Sequence, residues 1–277
     1  VQGGDWGATI ANWLGYDHHE NCIAMHINCL TMRHPDDPQT NEEKKWVIDF
    51  DNDQIIQDGY RTQQATKPQT LSYAMVDSPV GIAAWIIEKL HGWSDLKDND
   101  IESAHSKDTL LANIMVYILT NTFNTAAWIY FGRRKEGGRS FPQNFKKIKV
   151  PTAIAVFPKE MLQWPPKSYV NRIFNVKRWK KFAKGGHFSA LEVPNLLIND
   201  IKQNNNTTDE QLSYVNQIES SFNFIHNEPK AEPKKWMVSA TLSYGYNQDN
   251  NINGITKNNL QISSNEIVDF ADPRFDN

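Results

Sequence analysis

Five residues near the start of the chain, Gly3-Gly4-Asp5-Trp6-Gly7, constrain it more than any others. They follow a small-x-nucleophile-x-small pattern, that of a strand-to-helix turn lifting a reactive side chain above a parallel sheet. Glycines flank the central residue because a Cβ there would collide with the neighbouring strand or helix. Ala8, Ile10, Ala11, Trp13 and Leu14 follow at helical spacing, and Gly15 is expected to end the helix. The reactive group would be a carboxylate. An attacking Asp forms an ester at an sp3 carbon, so its partner must carry a strained or good leaving group there. A Gly-rich turn before an ordinary helix has the same local pattern, so the remainder of the chain decides between the two.

The composition is that of a globular protein of one large or two small domains: 277 residues, net charge −3 and nine Trp. It offers no basic excess for nucleic acid and no apolar run long enough to span a bilayer. The absence of a signal or membrane segment in this sequence favours the cytoplasm. Cys22 and Cys29 are too few for a disulfide framework and are expected to be buried thiols. His18, His19, His26 and His34 lack the spacing and carboxylate companions of a metal site, and none is expected. The chain opens with Val1 directly on the reactive turn, so a preceding portion is expected to be missing.

In chain order, residues 1–34 hold the turn, a helix and a buried strand over 21–30. Residues 35–145 read as a helical cap. Asn41 is expected to cap one helix, and Ser78-Pro79 opens another with Val80, Ala83, Ala84, Ile87 and Leu90 on one face. Ser106 opens a long third helix running to about Gly132. Strands resume in 146–202, at Val150–Phe157 and Arg178–Ala183, followed by a helix from Ala190 to Ile201. Asp5, Glu160 and His187 each close a predicted strand. Nucleophile, acid and His in that order is the order of α/β-hydrolases, with helices inserted above the strand C-termini. The fold class is therefore α/β, a partial parallel sheet with an inserted helical cap.

The chain from Val1 to about Asp200 resembles the α/β-hydrolase-fold epoxide hydrolases, on the branch with the microsomal, juvenile-hormone and many bacterial enzymes. The matching stretches are Gly3–Gly7, Ala65-Thr66-Lys67-Pro68-Gln69-Thr70, Asp77-Ser78-Pro79-Val80-Gly81, Trp93-Ser94-Asp95, Phe157-Pro158-Lys159-Glu160 and Gly185-Gly186-His187-Phe188 with Glu192 and Pro194. The resemblance implies Asp5 as nucleophile, Glu160 as the acid orienting the histidine, and His187 as the base that activates water. It implies Tyr60 and Tyr130 as the cap tyrosines that polarise the epoxide oxygen. The Trp6 N–H would be one oxyanion donor. No metal or cofactor is needed. The partners are a small epoxide and water, and Trp85, Trp93, Phe123, Trp128 and Trp164 suggest an apolar one.

Family members carry a long segment before the nucleophile, with early strands of the sheet and a second oxyanion donor, which this sequence lacks. That would leave the Cys22–Cys29 strand as an apolar edge and keeps a homo-oligomer open. Two other readings stay open: a haloalkane dehalogenase-like hydrolase, which also follows its Asp with Trp, and a catalytically incompetent fragment. Residues 203–277 form an unassigned Asn-rich tail, with a helix expected over 209–226 and an alternating strand over 238–244.

Overall fold

The computed structural model describes residues 1–203. The tail and its expected helix and strand lie outside them. Four parallel strands make one sheet in chain order: β1 (Gln2–Gly3), β2 (Met25–Ile27), β3 (Ile148–Val156) and β4 (Phe174–Lys181). Strands covered on both faces need continuous apolar runs, and the second half of β3 has one, with Thr152 to Ala155 buried. The strand expected over 21–30 is only three residues long. It lies between β1 and β3 and is not an edge; the edge on that side is the two-residue β1.

α1 (Asp5–Asp17) runs two residues beyond Gly15. That glycine serves close packing, because a Cβ on it would lie 2.3 Å from the Met25 sulfur. The face α1 buries is small and partly polar (Ala8, Thr9, Ala11, Asn12, Gly15), whereas Ile10, expected to be inside, is exposed. A helix lying flat on a sheet selects for small residues at the contact. Met25, Ile27, Cys29, Ile154, Ile173 and Phe174 complete a fully buried core beneath it. Cys29 is buried as expected and Cys22 only half-buried; both are free thiols.

Six helices separate β2 from β3: α2 (Asn41–Gln57), α3 (Gly59–Thr66), α4 (Pro68–Val76), α5 (Pro79–Trp93), α6 (Lys107–Thr120) and α7 (Phe123–Lys135). Thr40, not Asn41, caps α2, its hydroxyl accepting the Glu43 N–H. Ser78 and Ser106 cap α5 and α6 as expected. The long helix expected through to Gly132 is broken at Asn121, which adopts φ 54°, a left-handed conformation that Asn tolerates and that terminates helices. α5 presents Ile82, Leu90 and Trp93 inward, while Val80 on the expected face is exposed. The excursion leaves and returns at one place. Arg33 N–H donates to the Arg139 carbonyl at 2.6 Å, and Phe141 N–H to the Arg33 carbonyl at 3.0 Å.

After β3 come α8 (Lys167–Ile173), β4, α9 (Ser189–Glu192) and α10 (Pro194–Lys202). β4 begins four residues earlier than expected, and Pro194 divides the single helix expected from Ala190 to Ile201. Asp200 of α10 is buried among His26 of β2 (3.0 Å), Arg178 and Lys180 (3.2 Å) of β4, which ties that helix to the sheet. Among the described residues no single helix is long and apolar enough to cross a membrane.

Candidate active site

The β1–α1 turn holds Asp5 at φ 44°, a conformation that costs a non-glycine residue about 1–3 kcal/mol. Of the glycines expected to avoid a collision, Gly3 does so, since a Cβ on it would stand 2.2 Å from the Gly7 carbonyl oxygen, whereas a Cβ on Gly7 would meet nothing within 4 Å. The turn is fixed from below by the buried Cys29 sulfur, which accepts the Asp5 N–H at 2.9 Å. Trp6 occupies the first turn of α1, where backbone N–H groups have no acceptor within the helix. The Asp5 carboxylate itself is half exposed.

Glu160 and His187 arrive on loops after β3 and β4, joined by Lys159 N–H donating to the Gly185 carbonyl at 3.1 Å. Both are buried. Glu160 Oε1 lies 2.7 Å from His187 Nδ1 and also accepts the Leu162 N–H at 2.9 Å. His187 Nε2 stands 3.8 Å from Asp5 Oδ2, an ion-pair contact that is long for a hydrogen bond. Burial alone would discharge the imidazole, but the Glu160 and Asp5 carboxylates outweigh it and push His187 up to about 10.

Tyr60 of α3 and Tyr130 of α7 face each other with ring centroids 5.9 Å apart. They belong to a chain of edge-to-face rings running Trp6, Tyr130, Tyr60, Trp93, His187, at 5.2, 5.9, 5.1 and 5.3 Å. Desolvation, with the Asp5 charge adding to it, raises both phenols above the ordinary range, so they remain hydrogen-bond donors. A cavity of about 580 Å³ opens from Asp5, Trp6 and the tyrosine pair, walled by Trp85, Phe123 and Ile129 among others. Trp93 also lines it. Trp128 and Trp164, grouped with these aromatics at first, do not: Trp128 is exposed against Phe131, and Trp164 packs against Trp179 at the core.

All five expected side chains therefore lie at one place, with Trp6 beside Asp5. Sequence reasoning missed what holds the histidine loop. One oxygen of Glu192 accepts the Asp95 and Gly186 N–H groups at 2.7 and 2.9 Å, and the other accepts Phe188 N–H at 2.9 Å. Asp95 in turn accepts the Gly185 N–H at 2.9 Å, and the Trp93 carbonyl accepts the His187 N–H at 2.9 Å. The available signal was a Gly-Gly-His-Phe turn whose amides need acceptors, followed at once by a carboxylate.

No protein-family model matches the chain. Epoxide hydrolase 1 of Sus scrofa is 32% identical over 225 residues, covering 73% of this chain and 50% of the relative. The Aspergillus niger epoxide hydrolase structure superposes with a TM-score of 0.59 at 29% identity, covering 73% of this chain and 50% of that one. The Bombyx mori juvenile hormone epoxide hydrolase structure, 22% identical, shares the fold with a TM-score of 0.61 over 79% of this chain and 55% of its own. The chain spans about half the length of the curated relatives it matches. Over the residues that match, it belongs to the epoxide hydrolases of the α/β-hydrolase fold.

Proposed function

We propose that this chain carries the chemistry of epoxide hydrolysis, opening an apolar epoxide to a vicinal diol through an ester on Asp5. The observation that carries the reading is that Asp5 lines one cavity together with the two phenols and stands 3.8 Å from His187 Nε2 of the Glu160–His187 pair. Helices α2–α7 act as the cap over the core. Asp5 attacks a ring carbon, that carbon–oxygen bond breaks, and Tyr60 and Tyr130 donate to the oxygen as its charge develops.

Ester formation changes the electrostatics of the base. Resting His187 is held as imidazolium by two carboxylates, a form that cannot accept a proton. Alkylation converts Asp5 to a neutral ester and removes one of those charges. The proton His187 then gives up balances the one taken by the alkoxide, and Nε2 is free to deprotonate water. Hydroxide adds to the ester carbonyl, the Trp6 N–H faces the resulting oxyanion, and collapse releases the diol. Glu160 holds the ring by Nδ1 so that Nε2 faces Asp5.

Single-turnover reaction of styrene oxide in ¹⁸O-water tests this. Label should enter the Asp5 carboxylate and be absent from the first-turnover diol. Label in the diol after one turnover would mean direct attack by water and would refute the ester.

A further inference from the structure

A second cavity, of about 290 Å³, shares Asp5, Trp6, Tyr60 and Tyr130 with the aromatic one, but its remaining wall is cationic. Arg61 of α3, Arg133 and Arg134 of α7 and Arg139 of the following loop all line it. Their charges are not equally compensated. Arg61 is gripped by both oxygens of Asp58, with Nε at 2.6 Å from one of them, so that charge is neutralised. Arg134 is exposed to water.

Arg133 and Arg139 are different. The Arg133 guanidinium donates to the Thr31 carbonyl at 2.8 Å and the Gly138 carbonyl at 3.2 Å, and sits 5.0 Å over the Trp6 ring; all these partners are neutral. The Arg139 side chain makes no hydrogen bond or ion pair among the described residues. Burial, and then the repulsion of neighbouring guanidiniums, lowers both from the ordinary arginine range, Arg133 to about 10. The carboxylate lining this cavity is Asp5, which the proposed chemistry converts to a neutral ester. Two poorly solvated cations without a counter-ion are costly, and an incoming oxyanion would offset that cost through charge-assisted, fork-like hydrogen bonds.

We propose that this cavity is an oxyanion subsite for the substrate itself: it takes a carboxylate attached within a few bonds of the epoxide ring, with Arg139 as the principal contact and Arg133 as the second. The assignment rests on Asp5 being the nucleophile, because Asp5 is where the two cavities meet. It sharpens the substrate class from an apolar epoxide to an amphiphilic one. The apolar body would lie against Trp85 and Phe123, and the acid against the arginines.

Two measurements test it, the first of them independent of activity. In calorimetric titration of the full chain, cinnamate should bind at least tenfold more tightly than cinnamyl alcohol. Arg139→Gln should abolish that difference and Arg139→Lys should retain part of it; since the Arg139 side chain bonds nothing among the described residues, neither change removes a hydrogen bond or ion pair seen there. Equal binding of acid and alcohol, or binding of neither, overturns the subsite whatever the chain's activity. In turnover, the ratio of kcat/KM for 3-phenylglycidate to that for styrene oxide should fall about tenfold or more in Arg139→Gln, the loss of one charge-assisted contact. An unchanged ratio overturns the proposal and leaves the epoxide hydrolase reading standing. Failure to turn over styrene oxide would count against that reading instead.

Discussion

The sheet core and the helical segment above it hold their halves of the site in opposite ways. The core buries its members completely, with Met25, Ile27, Ile154 and Phe174 at 0% exposure, and keeps Glu160 and His187 at 2.7 Å behind them. The helical segment has a small buried cluster, Ile82, Ile114, Phe123 and Ala127, and leaves Leu111, Val116, Leu119 and Ile129 exposed. Its tyrosines are held by ring contacts with Trp6, Trp93 and each other. Acid–base geometry, which fails with small displacements, is thus assigned to the rigid half, and the groups that meet a variable substrate to the other.

The comparison can be broken most severely at the core. Ile154→Ala should cost about 2–5 kcal/mol, the range for a fully buried side chain that leaves a cavity, read as a fall in Tm. Removing one phenol, in Tyr60→Phe or Tyr130→Phe, should slow alkylation by about 100- to 1000-fold, equivalent to about 2.7–4 kcal/mol, with stability nearly unchanged. A stopped-flow Trp signal for ester formation would read it, and a Tm loss as large as that of Ile154→Ala would mean that the tyrosines are structural.

Proton linkage separates two sites within the core. Unfolded His187 titrates near 6.5 and the folded residue near 10, so its contribution to stability is complete below about 6.5 and is lost as pH rises through 10. In Asp5→Asn that loss should be smaller and complete at lower pH, because one of the two carboxylates holding the proton is gone. Asp200 runs the other way. His26 and Arg178 outweigh its burial and depress it to about 2, so its contribution is present above about 3.8 and disappears as pH falls toward 2. Melting temperature against pH for both variants, Asp5→Asn and Asp200→Asn, checks these signs. The smallest effect is expected on the helical segment's surface: Leu119→Ala, at 75% exposure, should change stability by no more than about 0.5 kcal/mol.

The parts of this molecule legible in the sequence are those where one residue's local chemistry decides the outcome. Gly3, Gly4 and Gly7 announce a turn, the serine and proline before α5 announce a helix start, and β3 reads as a buried strand from its apolar run. The end of α1 was misread because Gly15 answers to the Met25 sulfur in another element and not to a helix terminus. The break between α6 and α7 was hidden because apolar residues run on both sides of Asn121 at unbroken helical spacing. The exposed Val80 shows the same difficulty in α5, whose apolar residues surround it. Arg139 is not legible for a further reason, since its cavity is assembled from distant segments that leave no spacing to read; Glu192 stands out beside the histidine turn, but its role as acceptor of three backbone amides shows only in the structure.

The most direct test of the central claim is the intact mass of His187→Gln after incubation with styrene oxide. The account requires Asp5 to alkylate without the histidine, with the alkoxide's proton drawn from water through the tyrosine pair, and the ester then to persist. A mass increase of one substrate, mapped by peptide fragmentation to Asp5, is the expected result. A folded sample that stays unmodified, or that carries the adduct on any other residue, would contradict it.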